Sequence, residues 1–279
     1  MENSFINALP QFEKVSFYII AHADDWQLFM HPNVYNDIVD PRCKVIFIIT
    51  TAGDAAIGEK YWTAREEGSK SSVRFCFANR QLPELGGNRQ LNGHPVHFWS
   101  FNNTTTYFFR LPDGNLDGNG FLANSFQSLT GLRLGKLNSI TTVNNDTTYN
   151  SWVEFVNTIE SIIALESQGI SNGWMHYLNP DLTRNPGDHP DHIATGIAIQ
   201  SMPVIKNFHQ LLFVGYSFGS LSGKLSANEL FWKAGMFAVY ENAVYGLCGY
   251  STLQENVELY LKWCRSKAEF FTIECSSFF

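Results

Sequence analysis

The chain has 279 residues, of which 44% are hydrophobic, 15% aromatic and 16% charged, and its net charge is −7. This apolar content can bury a large core, which excludes a disordered or collagen-like chain. The negative charge disfavours a nucleic-acid partner, because phosphates attract surfaces rich in Lys and Arg. Small or neutral ligands fit the composition better.

No stretch of the sequence is typical of a membrane span or of a secretory signal. The longest apolar runs, 15–21 and 45–49, are far shorter than the roughly 20 residues that cross a bilayer. Residues 1–12 lack a basic end followed by an apolar stretch. We expect a cytoplasmic chain with no membrane span. Five scattered cysteines form no CxxC pair and are expected to be reduced thiols: Cys43, Cys76, Cys248, Cys264 and Cys275.

The first predicted elements are two short apolar strands, at 15–21 and 44–51. Both are too continuously apolar for a strand with one solvated face, so we interpret them as buried parallel strands. Gly53 and Gly58 then interrupt the chain, and 59–78 is predicted to be a helix with a charged outer face. Strand, turn and helix in this order are typical of a βαβ unit.

The remaining pattern continues an α/β fold. The range 102–150 is dense in Asn, Thr and Gly, which predicts a loop-rich insertion of the kind that often shapes a ligand site. Further strands are predicted at 96–101, 174–178 and 211–216, and further helices at 152–166, 226–240 and 253–271. We therefore expect one domain over 1–279, with a mostly parallel, Rossmann-like sheet between two layers of helices.

The strongest chemical signal follows the first strand, where His22, Asp24 and Asp25 stand together. In open α/β sheets, ligands bind beyond the carboxyl ends of the strands. Two adjacent carboxylates repel each other unless a cation or a shared proton neutralises them, so the motif favours a metal site. The alternative is a strand end whose Asp caps the next helix.

A second motif, Asp-His-Pro-Asp-His at 188–192, precedes a run of small apolar residues that predicts a helix. His189 and His192 are three residues apart and can face one pocket if they lie in its first turn. One His and one Asp of the first motif, with one His of the second, would supply the three ligands of a catalytic zinc site. Alternatively, Asp188 or Asp191 only caps the helix and His189 is a surface residue.

The two motifs resemble those of the LmbE-like or PIG-L family, which includes N-acetylglucosaminylphosphatidylinositol de-N-acetylases and the deacetylases of mycothiol and bacillithiol biosynthesis. The family's AHPDDE motif is similar to 21–26, Ala-His-Ala-Asp-Asp-Trp, and its HPDH motif matches 189–192. Weaker similarity covers most of the chain. Ala23 replaces the usual Pro and Trp26 the usual Glu, and the lost acidic group could change metal affinity or substrate preference.

The resemblance implies a Rossmann-like α/β/α fold and a zinc-dependent deacetylase, with Fe²⁺ as the alternative metal in a reducing cell. It implies three metal ligands: His22, Asp25 and His192. Asp24 would be the general base, acting on a water whose pKa zinc lowers. His189 would donate to the oxyanion or protonate the leaving amine. Asp191 would orient His189 or a metal ligand.

The resemblance also makes Arg65 and Asp113 candidates for binding the substrate, although an Arg in a Glu-rich helix is often solvated and an Asp before Gly often shapes a turn. His94 and His97 are interpreted as surface or packing residues. Six aromatic residues could stack on a sugar ring or simply fill the core: Trp62, Phe98, Trp99, Phe101, Tyr107 and Phe108.

The expected reaction is removal of an acyl group, foremost acetyl, from an N-acylated amino sugar such as an N-acetylglucosamine conjugate. The alternatives are a metal-dependent deacylase of a non-sugar amide and a catalytically silent carbohydrate-binding relative. The expected partner is thus a small molecule or glycoconjugate, and a homo-oligomer stays open.

Overall fold

The computed structural model describes residues 12–78, 80–218, 224–254 and 256–275. Within these residues the strands are β1 (Lys14–Ile20), β2 (Cys43–Thr51), β3 (Glu84–Leu91), β4 (His94–Phe101), β5 (Thr104–Leu111), β6 (Ile140–Thr141), β7 (Thr148–Tyr149), β8 (Asn172–Leu178), β9 (His209–Phe213) and β10 (Phe270–Ile273). The helices are α1 (Asp25–Phe29), α2 (Asn33–Val39), α3 (Glu59–Cys76), α4 (Leu129–Arg133), α5 (Trp152–Glu166), α6 (Pro190–Ser201), α7 (Ala227–Cys248) and α8 (Val257–Arg265).

Eight of the described strands form one sheet in the order β10-β9-β8-β1-β2-β5-β4-β3. The five central strands, from β9 to β5, are parallel to one another. The outer pairs β3/β4, β4/β5 and β9/β10 are antiparallel. The predicted mostly parallel α/β sheet is therefore confirmed, and the apolar sequence of β1 and β2 reflects burial on both faces.

Helices cover both faces of the sheet over two apolar clusters. On one face, Tyr18 and Phe47 pack with residues of α1, α2, α3 and α7, such as Met236. On the other face, Phe17 and Ile46 pack with residues of α5 and α6. Neighbouring strand residues point to opposite faces, so each central strand contributes to both clusters. Of the helices in the described residues, none combines the length and the apolar character that crossing a membrane requires.

The predicted helix at 253–271 is only half right. Helix α8 ends at Arg265, and the aromatic and β-branched residues of β10 pair with β9 instead. Tertiary pairing at the sheet edge overrides the local helical pattern here. Helix α7, in contrast, continues beyond the predicted end at residue 240 and stops at Cys248.

Strand β3 was not predicted, because its Gly-, Asn- and Arg-containing sequence is poor in strand-forming residues. Pairing with β4 imposes the extended conformation. The two strands are joined by Asn92 and Gly93, which have φ angles of 49° and 83°. Asn-Gly with positive φ at both positions is typical of a two-residue hairpin turn, and this was the available sequence signal. The range 102–150 contains the complete strand β5 besides its short elements and loops.

Candidate metal centre

The loops that follow the parallel strands meet at one edge of the sheet. His22 follows β1, Asp113 follows β5, His192 lies beyond β8, and Tyr216 follows β9. The carboxyl ends of parallel strands share an edge, which explains why residues distant in sequence converge there. His22 and His192, 170 positions apart, bring Nδ1 and Nε2 to 3.1 Å. The structure thus brings the two sequence motifs together.

The first motif is fixed by the turn between β1 and α1. The Oδ2 atom of Asp25 accepts hydrogen bonds from the backbone N–H groups of Ala21, at 3.1 Å, and His22, at 2.7 Å. These bonds fold the carboxylate back onto the end of the strand. The other oxygen, Oδ1, lies 3.1 Å from Nε2 of His192.

The second motif forms the start of α6, as the sequence predicted. His189 is the N-cap residue, and its Nδ1 accepts a hydrogen bond from the backbone N–H of Asp191 at 3.1 Å. Pro190 occupies the first helical position, where no backbone donor is needed. His192 consequently lies in the first turn, fully buried and directed at the first motif.

Three donor atoms are spaced for one metal ion. His22 Nδ1, His192 Nε2 and Asp25 Oδ1 are separated by 3.1, 3.1 and 3.7 Å. The donor atoms of a tetrahedral metal ion with bonds of about 2.1 Å lie roughly 3.4 Å apart, and the three distances observed here are close to that separation. The three side chains are buried, and two nitrogens with one carboxylate oxygen are a common donor set for divalent transition metals. The residues present therefore fit a metal ion.

Each histidine of this set has a carboxylate behind it. Nδ1 of His192 lies 2.8 Å from Oδ1 of Asp188, and Nε2 of His22 lies 3.5 Å from Oδ2 of Asp191. Metal-binding histidines commonly present their second nitrogen to such an acceptor, which fixes the ring and its tautomer. Asp188 was considered in the sequence only as a helix cap. Its spacing of four residues before His192 was the signal for this further role.

The buried carboxylates favour positive charge at two of the three histidines. Burial lowers the pKa of His22, but Asp25 outweighs it and raises the pKa to about 9. Burial opposes charge at His192 as well, yet Asp188 and Asp25 raise its pKa well above the usual value. Burial and the charge of His22 lower the pKa of His189 to about 4. A divalent ion would replace the protons on the first two rings.

Arg65 is buried and lies beneath the first motif rather than in solvent. Its guanidinium donates to Asp24 Oδ1 at 2.5 Å, to the Gly53 carbonyl at 2.7 Å and to the Tyr240 hydroxyl at 2.8 Å. Burial works against its charge, but Asp24 raises the pKa of Arg65 well above the usual value. Gly53 has a φ of +54°, and a Cβ there would lie 2.6 Å from the guanidinium. A glycine is therefore needed for this contact.

Asp113 also reaches the site. With His22, His189 and Asp191 it forms a second buried group of potential metal ligands. Its Oδ1 accepts from the backbone N–H of Asn115 at 2.8 Å, which shapes the turn after β5. Asp113 is thus both a turn residue and a part of the site.

A cavity of about 290 Å³ opens above the two motifs. Asp24, Arg65, Asp113 and His189 line it. Its aromatic wall consists of Phe29, Tyr61, Phe121, Tyr216, Tyr260 and Trp263. None of the six aromatic residues considered in the sequence lines this cavity. Five of them are buried hydrophobic residues instead: Trp62, Trp99, Phe101, Tyr107 and Phe108. The wall was missed because its residues come from loops and from α1, α3 and α8, which are distant in sequence.

Trp26 faces the core and not the cavity. It is fully buried, its ring lies 4.9 Å from that of Phe47, and its Nε1 donates to Ser69 at 3.0 Å. Trp26 is therefore a packing residue of α1. His94 is equally remote from the site, since its ring nitrogens contact Thr147 and Glu154.

The fold is shared with a solved deacetylase structure. A triple mutant of the deacetylase Orf2 from the teicoplanin biosynthetic pathway has a TM-score of 0.52 and 12% identity, over 94% of this chain and 99% of that chain. The N,N′-diacetylchitobiose deacetylase from Pyrococcus horikoshii has a TM-score of 0.47 and 14% identity, over 97% of this chain and 87% of that chain. No family model and no curated protein matches the sequence. The first of these similarities confirms the expected fold.

Proposed function

We propose that this chain is a zinc-dependent hydrolase that removes an acyl group, foremost acetyl, from an N-acylated amino sugar such as an N-acetylglucosamine conjugate. The observation that carries the proposal is the spacing of His22 Nδ1, His192 Nε2 and Asp25 Oδ1, three donors placed for one ion beneath a cavity. The fold shared with a deacetylase supports it. We also propose that residues 1–279 act as one catalytic domain.

The donor set is the reason for choosing zinc. Two imidazoles and one carboxylate leave one position of a tetrahedral ion open, as catalytic zinc sites do, and the same donors would accept Fe²⁺. When bound, the ion supplies Lewis acidity, which polarises the acyl carbonyl and lowers the pKa of water at the open position. Asp188 holds the His192 imidazole in the orientation that presents Nε2, and Asp191 lies 3.5 Å behind His22 as a nearby negative charge.

Asp24 is proposed as the general base. It follows His22, precedes the ligand Asp25, and lines the cavity. Arg65 engages Oδ1, which leaves Oδ2 as the oxygen that takes a proton from the attacking water. The three hydrogen bonds of Arg65 fix the position of this carboxylate, and a fixed base lowers the cost of reaching the transition state.

His189 is proposed as a hydrogen-bond donor to the oxyanion. Its Nδ1 accepts from the backbone N–H of Asp191, so a neutral ring carries its proton on Nε2. The pKa of about 4 means that the ring is neutral at pH 7. A neutral imidazole N–H stabilises developing negative charge without first losing a proton. This arrangement favours oxyanion stabilisation by His189, and the proton that Asp24 takes from the water is then the one that passes to the leaving amine nitrogen as the C–N bond breaks.

The cavity would hold the sugar of the substrate. Tyr260 and Trp263, from α8, offer aromatic surface for the apolar face of a pyranose ring. Asp113 and Arg65 line the same cavity. Asp113 can accept hydrogen bonds from sugar hydroxyl groups, and Arg65 can donate to hydroxyl groups or to a negatively charged aglycone. The expected products are acetate and a free amino sugar.

The test is release of amine from N-acetylglucosamine conjugates by the zinc-loaded enzyme. Asp24→Asn should keep its metal and lose most turnover, and His189→Ala should lower kcat by about 100-fold, the scale of one lost oxyanion donor. A metal-loaded wild type that cleaves only acetylated amines without a sugar would instead be a non-sugar deacylase. One that cleaves neither class but binds the sugars would be a carbohydrate-binding relative.

A further inference from the structure

A second cavity lies at the opposite end of the sheet from the candidate metal centre. It has a volume of about 440 Å³ and is lined by residues of α2 and of strands β1, β8, β9 and β10. Lys14, the first residue of β1, belongs to its lining, whereas His22 follows the other end of the same strand. At about 3.3 Å per residue, the two ends are roughly 23 Å apart. The cavity is therefore separate from the site described above.

A buried histidine presents an acceptor to this cavity. His176 is only 3% exposed, and its ring stacks on that of Tyr18 at 4.2 Å. Its Nδ1 lies 3.1 Å from the carbonyl oxygen of Phe17, which can only accept, so Nδ1 carries the proton. Burial lowers the pKa of His176 to about 4, so the ring is neutral and Nε2 has a free lone pair. Among the described residues, no hydrogen-bond partner meets Nε2.

The two charged side chains at the inner part of strand β1 and helix α2, Lys14 and Asp37, are already paired with each other. Lys14 contacts Asp37 Oδ1, and the Tyr18 hydroxyl donates to Asp37 Oδ2 at 2.8 Å. The third charged side chain of the lining, Glu274, is 72% exposed and therefore solvated, and the nearby Nδ1 of His209, at 2.8 Å, also accepts from the backbone N–H of Cys275. An anionic ligand would have to compete with Asp37 for Lys14, and a cationic ligand would have to compete with Lys14 for Asp37. The lining thus favours a neutral ligand.

The other lining groups combine apolar surface with amides. Trp174, Leu211 and Phe270 provide the apolar part, and Asn33 and Asn36 of α2 provide donors and acceptors. A purely apolar ligand would displace water from His176 Nε2 and leave this acceptor without a hydrogen bond, which costs free energy. A neutral ligand with both C–H surface and hydroxyl donors meets all these groups.

We propose that this cavity is a second carbohydrate site, which binds a neutral pyranose through a hydroxyl that donates to His176 Nε2. The ring carbons pack against Trp174 and Phe270, and the amides of Asn33 and Asn36 bond the remaining hydroxyls. The proposal does not depend on hydrolysis at the metal centre, because it concerns binding alone.

The test uses three probes without an amide bond: methyl β-glucoside, methyl β-galactoside and methyl α-mannoside, each titrated to 50 mM. None of them can be deacetylated, so loss of the proposed activity would leave this test unchanged. The readouts are the side-chain ¹⁵N resonance of His176 Nε2 and the indole resonance of Trp174. At least one probe should shift both resonances in a saturable way with one common Kd.

Two variants and a matched control locate the interaction. His176→Phe keeps a ring beside Tyr18 but removes the acceptor, and should weaken binding about tenfold, the scale of one neutral hydrogen bond. His176→Gln, which restores an acceptor, should recover part of the affinity. His97→Phe, on the distant strand β4, should bind as the wild type does. No saturable shift with any of the three probes, or an unchanged Kd in His176→Phe, would overturn the proposal.

Discussion

Asp188→Asn tests whether the carboxylate behind His192 contributes to metal binding. In the wild type, Oδ1 of Asp188 accepts from Nδ1 of His192 at 2.8 Å, and Oδ2 accepts from the Asn185 side chain at 2.6 Å. An amide keeps the size of the side chain but removes its charge. Its N–H₂ group must face either the Asn185 donor, which loses one hydrogen bond, or the His192 and Tyr216 N–H groups, which loses two.

The expected result is a 10- to 100-fold loss of zinc affinity, which corresponds to about 1.4 to 2.7 kcal/mol. Competition with a zinc-binding dye at fixed pH measures it. Asp181→Asn is the matched control, because Asp181 lies in the same loop and its half-exposed carboxylate contacts only Thr183 and Arg184 among the described residues. If Asp188→Asn bound zinc as tightly as Asp181→Asn does, Asp188 would have no part in the metal centre.

Three further changes probe the surroundings of the site. Trp26→Glu, which restores the family's acidic residue, should lower the free energy of unfolding by about 3 kcal/mol or more in a urea titration, because Trp26 is fully buried in the core. Burial and Lys233 lower the pKa of His31 to about 4, so the folded state resists protonation of this ring. His31 alone should therefore lower the free energy of unfolding by up to about 3 kcal/mol between pH 6.5 and pH 4. Urea titrations at both pH values should show a smaller loss for His31→Phe than for the wild type. Arg65→Lys cannot make all three hydrogen bonds of the guanidinium, so kcat should fall at least about tenfold while metal content, measured by atomic emission, stays the same.

The convergence of His22, Asp25 and His192 could be predicted because each motif is local. Asp25 follows His22 by three residues, so one turn brings them together, and His192 lies in the first turn of a helix whose start the sequence marks with Pro190. The meeting of the two motifs followed from the βαβ order, since parallel strands place their carboxyl ends on one edge.

The supporting contacts depend on tertiary packing and could not be predicted. Arg65 is held by Tyr240, 175 positions away on α7. Trp263 reaches the cavity only because α8 packs back over the site. Strand β10 exists because β9 offers a free edge, although the local pattern favoured a helix. Such contacts leave no periodic signal in the sequence.

The most direct measurement is the metal content of three proteins after loading with zinc and removal of the excess: wild type, Asp24→Asn and His192→Ala. We predict one tightly bound ion in the wild type and in Asp24→Asn, and a loss of tight binding in His192→Ala. A wild type without tightly bound metal, or a His192→Ala protein that retains it, would contradict a metal centre built from His22, Asp25 and His192.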